Sequence, residues 1–192
     1  RIVLVEAGPR LLPTFPPELS DYAHKALERA GVEIKTKTCV TNCDRHGVDT
    51  DGGRSEACTL IGAAGVIASP AAQWLGVEAD RAGRVRVGPD LSVPGHPEIF
   101  VIGDTAMVLD SGGRPVPGIA PAAKQMGKHV GKQIAARIAG GAGDAPFRYM
   151  HLGDLATIGR RAAVVKFGRL QLRGFLGWAF WSVVHIYFLI GL

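Results

Sequence analysis

The chain has 192 residues, 47% of them hydrophobic and 20% charged, and its formal net charge is +5. This is the composition of a globular protein, without internal repeats or low-complexity segments. The whole charge excess lies in residues 145–192, beside the most apolar stretch of the chain. That arrangement favours a surface facing anionic lipid over a nucleic-acid-binding patch.

The first part of the chain predicts a βαβ unit. Residues 1–6 (RIVLVE) form an apolar run that ends in an acid, typical of a strand buried on both faces. Helical spacing follows over residues 18–30, with Gly31 placed to end the helix. Residues 32–36 (VEIKT) then alternate like a second strand. Strand, helix and strand in this order predict a parallel sheet.

The middle of the chain is rich in turns. Residues 39–60 are polar and predict a hairpin excursion, and an apolar strand is predicted at 58–61. Residues 69–98 contain four prolines and are interpreted as a linker. Residues 99–102 (IFVI) predict another strand buried on both faces.

The last part of the chain predicts one long helix, a set of short strands and an apolar segment. The helix runs from about Ala120 to Ala139, and two glycines follow it. Residues 147–173 are interpreted as short strands and turns. Residues 174–192 contain no charged side chain, so they could cross a bilayer, lie at its surface or form a buried core helix.

A glycine and an aspartate follow the predicted strand IFVI. The carboxyl ends of strands in an α/β sheet face the crevice that holds cofactors. Gly103 would let a ligand approach the backbone closely, and Asp104 would accept hydrogen bonds from polyol hydroxyls. The alternative is that Asp104 caps a turn or a following helix. The spacing alone leaves both interpretations open.

Other polar residues give weaker signals. Glu6 ends the first strand, where a carboxylate can bind ribose hydroxyls and repel a 2′-phosphate, or can simply be solvated. The three cysteines, Cys39, Cys43 and Cys58, are interpreted as reduced thiols, and no histidine has metal-ligand spacing. We therefore predict no metal site.

Read together, six blocks of sequence resemble the type II NADH dehydrogenases. These are single-subunit, non-proton-pumping NADH:quinone oxidoreductases of the FAD-dependent pyridine nucleotide-disulfide oxidoreductase superfamily. The blocks are VEAGPRLLP (5–13), AAGVIASP (63–70), LSVPGHPEIFVIGDTA (91–106), PGIAPAAKQMGKHV (117–130), FRYMHLGDLATIGRRAAV (147–164) and GFLGWAFW (174–181).

The resemblance implies an α/β fold with two dinucleotide-binding, Rossmann-like domains, both partial in this chain, and a C-terminal membrane-associating segment. Residues 1–75 would belong to the NADH-binding domain, 76–145 to the FAD-binding domain, and 146–192 to a membrane-associating module with access for quinone. The glycine-rich phosphate loops of the family are not in this sequence. The isolated chain is therefore expected to be an inactive C-terminal portion of a longer protein.

The resemblance also implies a role for each matching residue. Expected contacts to FAD come from Gly103, Asp104, Ala120 and Ala123. Expected contacts to NADH come from Glu6, Ala64 and Gly65. Pro121 and Gln125 would lie at the quinone site, although the family usually has glutamine in place of this proline. Phe175, Trp178 and Trp181 would enter the membrane.

Further expectations concern location and partners. The resemblance implies a peripheral, monotopic protein on the cytoplasmic face of the inner membrane, with an anionic lipid surface and quinone as partners and a homodimer as an option. His151 could donate protons near the quinone or be an exposed turn histidine. The alternative functions are a soluble flavin-dependent NAD(P)H reductase with another acceptor and a membrane-associated FAD-binding interaction protein.

Overall fold

The computed structural model describes residues 1–142 and 145–189, with the exception of the side chain of residue 188. The chain divides into two compact units. Unit 1 comprises Arg1–Gly62 and Leu152–Leu192, and unit 2 comprises Ala63–His151. The predicted nucleotide, flavin and membrane domains divide the chain at other positions, and that assignment stays a prediction.

Unit 1 begins with the predicted βαβ arrangement. Strand β1 (Ile2–Glu6), helix α1 (Pro17–Arg29) and strand β2 (Val32–Thr36) follow in order. The two strands pair in parallel, as the sequence predicts. Gly31 lies just after the helix with φ +84°, a left-handed conformation that glycine adopts without strain. Strand β1 is only half-buried, because its sheet has two strands within the described residues.

A three-stranded antiparallel meander follows. A hairpin, as predicted for residues 39–60, would have two strands. The strands of the meander are β3 (Val40–Asp44), β4 (Gly47–Thr50) and β5 (Gly53–Glu56). The strand predicted at 58–61 is wrong. These residues are exposed and pair with no strand in the described chain, so their apolar side chains gain nothing from an extended conformation.

Unit 2 contains a small core built from short elements. They are α2 (Ala71–Leu75), β6 (Val85–Arg86), β7 (Ser92–Val93), β8 (His96–Phe100), β9 (Ala106–Met107) and α3 (Ala120–Ile138). Strands β7 and β8 pair antiparallel, and β6 and β9 pair in parallel. Val85, Leu91 and Val93 are at most 1% exposed. The linker predicted at 69–98 is therefore wrong, since this segment supplies much of the core.

The segment IFVI also differs from its prediction. Strand β8 ends at Phe100 and pairs antiparallel with the two-residue β7. Ile99 and Phe100 are half-buried, and Ile102 is 38% exposed. The prediction of a strand buried on both faces is wrong because so short a partner strand cannot extend the pairing to Ile102. A single 3-10 turn, Gly103–Thr105, then leads into β9.

Helix α3 confirms the prediction of a long helix. Ala122, Met126 and Val130 recur every fourth residue and form its buried face. The helix is capped at Ala139, and Gly140 follows with φ +81°.

The chain then returns to unit 1 with the predicted short strands. They are β10 (Asp154–Gly159), β11 (Ala162–Phe167) and β12 (Leu170–Arg173), and they form one antiparallel sheet. Helix α4 (Gly174–Leu189) follows directly. Val164 of β11 packs with Leu19 of α1, and Gly177 of α4 lies against the backbone of Ala163. The sheet thus packs against both helices.

Candidate functional site

Asp104 lies in the 3-10 turn of unit 2 with an exposed side chain. Within the described residues its carboxylate has neither a hydrogen-bond partner nor an ion-pair partner. The alternative interpretation of Asp104 as a cap is therefore wrong, because no backbone N–H in the described chain bonds to it. A Cβ atom built on Gly118 would lie 3.3 Å from Asp104 Oδ1. An accessible carboxylate with no structural partner is available to a ligand.

An open cleft of about 210 Å³ passes this carboxylate. Its lining combines apolar residues with one aspartate and one arginine. The lining residues are Val66, Ile67, Ala68, Ala82, Arg84, Asp104 and Gly118. Asp104 therefore shares this open cleft with apolar residues.

Gly103, the first residue of the turn, contacts helix α3. Its φ of +68° is one that glycine adopts readily, and its N–H points to Met126 Sδ at 3.2 Å. A Cβ atom at this position would lie 3.5 Å from Cβ of Ala123. The structure therefore brings Gly103 and Ala123 together, with Asp104 directly after Gly103 in the turn. That these residues form one flavin site stays a prediction.

The N-terminus of α3 is also in unit 2. Ala120 is its first residue, Pro121 its second, and Ile119 before them is extended without a side-chain cap. A helix N-terminus carries roughly half a positive charge on its free N–H groups. Proline has no N–H to leave unsatisfied, which suits it to the first turn.

Gln125 has a structural role in this unit. Its Nε2 donates to the Met150 carbonyl at 2.9 Å, and its Oε1 accepts from the Met150 N–H at 3.0 Å. Both polar ends of the amide are thus used to hold the segment after α3. A contact from Gln125 to quinone stays a prediction. His151 is exposed, with Nδ1 3.2 Å from the Tyr149 hydroxyl.

The residues predicted to meet NADH lie in both units. Glu6 ends β1 in unit 1, and its Oε1 accepts the Gly8 N–H at 2.6 Å. Ala64 and Gly65 lie in unit 2, in an exposed bend where Gly65 has φ +112°. Glycine is the residue suited to that conformation, so the Ala-Ala-Gly sequence encodes the shape of this bend.

One turn geometry occurs twice in unit 2, and its first copy lines the cleft. The sequence patterns above did not predict it. In Asp80–Arg84, Oδ1 of Asp80 accepts two backbone N–H groups while Oδ2 binds the arginine side chain. Asp110–Arg114 repeats the same pattern with its own aspartate and arginine. The shared sequence D-x-x-G-R, as DRAGR and DSGGR, was the available signal. The first of these turns places Arg84 at the cleft.

The Asp80 turn gives a testable pH dependence. The hydrogen bond from Arg84 is the main cause that holds the pKa of Asp80 below its ordinary value. A depressed pKa stabilises the fold above the unfolded-state value of about 4, and this is lost as pH falls through the folded-state pKa. We expect Asp80→Asn to lower the free energy of unfolding by about 1 kcal/mol at pH 7 and by less near pH 3.

Urea unfolding of both proteins at pH 7, 5 and 3 measures this effect. Asp110→Asn is the matched control, because Arg114 is 83% exposed at its side chain whereas Arg84 is 23% exposed. Its effect should be smaller, since water screens the exposed pair. An equal loss of stability for Asp80→Asn at every pH would contradict the linkage.

Helix α4 presents apolar side chains to the surface. Phe175 is 60% exposed, whereas Trp178 and Trp181 are half-buried. In the described part of this helix, the other large apolar side chains that are exposed are Leu176, Val183, Ile186, Tyr187 and Leu189. In the described part of the chain, no helix combines the length and hydropathy needed to cross a membrane. Residues 190–192 of the predicted apolar segment lie outside the described residues.

The described part of the chain contains neither a candidate metal site nor a disulfide. In the part of the chain that the structure describes, no group of three or more His, Cys, Asp or Glu side chains is arranged to hold a metal ion. Cys39, Cys43 and Cys58 are free and exposed.

Residues 1–127 match the family described as pyridine nucleotide-disulphide oxidoreductase. The chain belongs to this family. The match includes the β1 strand with Glu6, the bend at Gly65, the Asp104 turn and the start of α3. These segments are the ones for which the resemblance implies contacts to NADH and FAD.

Curated relatives of this oxidoreductase family member include two proteins of Mycobacterium tuberculosis. The type II NADH:quinone oxidoreductases Ndh and NdhA are 42% and 38% identical to it over the whole chain. A type II NADH:quinone oxidoreductase of Staphylococcus haemolyticus is 37% identical over 88% of the chain. The chain spans 42% of the length of each M. tuberculosis relative and 43% of the Staphylococcus relative.

Solved structures support the same fold. NDH2 of Plasmodium falciparum, solved in complex with NADH, matches 97% of this chain with a TM-score of 0.85 at 19% identity. The match covers 54% of that structure. Reduced CoADR-RHD of Bacillus anthracis matches 88% of the chain with a TM-score of 0.70 at 22% identity, over 30% of its own length. At these identities the likeness establishes the fold alone.

Proposed function

We propose that the protein containing this chain is a type II NADH:quinone oxidoreductase that uses FAD. It would oxidise NADH and reduce a membrane quinone without pumping protons. The observation that carries the proposal is the 42% identity to a protein of that name along the whole chain. Because the chain spans less than half of that relative, the activity is proposed for the protein and not for the isolated chain.

The residues of the Asp104 turn fit a flavin. The unpartnered carboxylate can accept hydrogen bonds from the hydroxyls of the ribityl chain, and Gly118, which has no Cβ atom beside Oδ1, leaves the approach to it open. Ala120 begins the helix whose positive end would face an electron-rich ring edge, and Ala123 is small enough to lie beside a flat ring. Bound FAD would supply the hydride acceptor and the two-electron donor.

Glu6, Ala64 and Gly65 would bind NADH. Glu6 carries its carboxylate at the carboxyl end of a parallel strand, the position from which an acid binds the ribose hydroxyls of NADH. A 2′-phosphate would meet an unfavourable like charge there, which favours NADH over NADPH. The exposed bend at Ala64–Gly65 leaves its backbone open to a nicotinamide ring.

Quinone would meet the protein at the start of α3. Pro121 and Gln125 both lie in the first two turns of this helix, close in sequence to the proposed flavin contacts. Pro121 offers an apolar surface and no donor, so recognition of the quinone head from this position would depend on shape. The family resemblance supports the proposed domains, which are 1–75 for NADH, 76–145 for FAD and 146–192 for membrane association and quinone access, and a homodimer is proposed as an option.

Helix α4 and the sheet before it would hold the protein to one face of the membrane. The exposed apolar side chains of α4 suit the acyl boundary, and Trp178 and Trp181 suit the interface. Arg173 on β12 and Arg160, Arg161 and Arg169 in the turns of the adjoining sheet are exposed, where they can attract anionic lipid. This supports a peripheral location on the cytoplasmic face of the inner membrane.

Vesicle binding tests the membrane surface. We expect Leu176→Asp combined with Val183→Asp to lower the vesicle-bound fraction at least tenfold, because burying each side chain is worth about 1.5–3 kcal/mol. Both residues are mostly exposed, at 67% and 70%, so the fold should survive. Flotation with anionic vesicles measures the bound fraction.

Ile138→Asp is the matched control, since Ile138 is 83% exposed on a helix of the other unit. It should leave flotation unchanged. Unaltered binding of the α4 double variant would remove this helix from the membrane surface.

The activity test uses the protein expressed from its complete reading frame and purified in detergent. Anaerobic NADH should bleach the flavin absorbance, and a short-chain quinone should restore it. Failure of NADH to bleach the flavin overturns the proposed dehydrogenase activity. Bleaching that quinone does not reverse assigns the protein to another acceptor, as in a soluble flavin-dependent reductase.

A further inference from the structure

Gly8 lies directly against the carboxylate of Glu6. Its N–H donates to Glu6 Oε1 at 2.6 Å, which fixes one carboxylate oxygen over the backbone of the turn. A Cβ atom built on Gly8 would lie 2.9 Å from that same oxygen. Real Cβ atoms essentially never approach an atom so closely, so any side chain at position 8 requires the carboxylate to move.

The backbone around Gly8 is better fixed than the Glu6 side chain. The Gly8 carbonyl accepts the Lys37 N–H at 2.9 Å, and the Glu6 carbonyl accepts the Thr38 N–H at 3.1 Å. These two bonds tie the turn to the segment that follows β2. The next backbone neighbour of the added Cβ, the Arg10 carbonyl oxygen, is 3.7 Å away at ordinary contact distance.

Gly8 does not adopt the left-handed backbone conformation that would itself demand glycine. Alanine therefore fits the backbone, and the flexible end of Glu6 is the part that gives way. A larger residue at position 8 should leave the fold intact while it displaces the carboxylate. A substitution at position 8 therefore tests the position of the Glu6 carboxylate without removing the carboxylate itself.

We propose that Gly8 is a positioning residue that sets the preference for NADH over NADPH by holding the Glu6 carboxylate in place. The inference rests on the proposed function, since it assumes that Glu6 binds the ribose of NADH. Gly8 would contribute to selectivity in two ways. Its N–H donates a hydrogen bond to the Glu6 carboxylate, and its missing side chain leaves room for that carboxylate. Gly8 touches no substrate and acts only through Glu6.

Steady-state kinetics of the full-length protein with NADH, NADPH and a short-chain quinone test the proposal. We expect Gly8→Ala to raise KM for NADH about tenfold while kcat stays within about twofold of the wild type. KM for NADPH should stay equal or fall, because the displaced carboxylate repels the 2′-phosphate less. Flavin content and the melting temperature should match those of the wild type.

Two further variants identify the cause. In a Glu6→Ala background, Gly8→Ala should change KM for NADH less than twofold, because the group it displaces is gone. Gly52→Ala is the control: it lies in a turn of the same unit, needs no left-handed backbone, and its added Cβ would lie 3.7 Å from Thr50 Oγ1. Its kinetics should match the wild type.

The outcomes separate this inference from the proposed function. A wild-type protein that oxidises NADH, with the same ratio of KM values in Gly8→Ala, overturns the role of Gly8 alone. The same tenfold change in the Glu6→Ala background also overturns it, since the effect would then not act through the carboxylate. A wild-type protein that neither binds nor oxidises NADH overturns the proposed function and this inference with it.

Discussion

Replacing Asp104 by alanine is expected to weaken FAD binding by about 10- to 100-fold and to lower NADH:quinone activity in proportion to the flavin lost. A hydrogen bond to a charged group contributes about 1.5–3 kcal/mol, which corresponds to that range. The stability of the flavin-free protein should change by less than about 0.5 kcal/mol, because the carboxylate is exposed and has no partner in the described chain. Loss of ligand without loss of stability is the signature of a binding residue.

The ratio of flavin absorbance to protein absorbance after gel filtration measures the effect, together with titration of stripped protein with FAD. Asp21→Ala is the control, since Asp21 is also an exposed aspartate, on helix α1 of the other unit. It should retain its flavin fully. If Asp104→Ala keeps its flavin, Asp104 is not part of the FAD site.

The second large effect is expected at Gly177, in the contact between α4 and β11. A Cβ atom there would lie 2.6 Å from the Ala163 carbonyl oxygen and 3.1 Å from its carbon. Both are backbone atoms of a buried strand, which cannot give way as a side chain can. We expect Gly177→Val to lower the free energy of unfolding by about 3 kcal/mol, the upper range for overpacking.

Urea unfolding followed by tryptophan fluorescence measures this change, because Trp178 and Trp181 lie on the same helix. Gly131→Ala is the control: it is exposed on α3, and its added Cβ meets no atom within 4 Å. That substitution should raise stability by up to about 1 kcal/mol through helix propensity. An unchanged urea midpoint for Gly177→Val would mean that α4 does not pack closely on β11 in solution.

The elements that were predicted well are those with a clear periodic pattern and a marked end. Helix α1 has its apolar spacing and Gly31, and α3 has a four-residue repeat and Gly140. Local pattern suffices for such helices, since side-chain spacing and a left-handed glycine are properties of the segment itself. The parallel pairing of β1 with β2 followed from element order.

Two predictions were wrong because a short segment was interpreted without knowledge of the chain that packs beside it. Residues 58–61 look like a strand but have no strand beside them, and residues 69–98 look like a linker although Val85, Leu91 and Val93 are core residues. Strand character depends on the neighbouring chain, which a local pattern does not contain. The prolines in 69–98 mark tight turns between very short strands.

At the candidate site, too, the sequence predicted some features and the packing of the chain decided others. The sequence alone determined which residues could carry the chemistry: a glycine and an aspartate after an apolar run, an acid at a strand end, and a long helix that begins some residues after the aspartate. Only the tertiary structure decided that the Asp104 carboxylate has no capping partner among the described residues, that Gln125 is bound to Met150, and that Gly8 lies against Glu6. The facts about Asp104 and Glu6 depend on the direction of a side chain. The bonds between Gln125 and Met150 depend on contact between segments that are distant in the sequence. Residue order fixes neither of them, because both arise when separate elements pack.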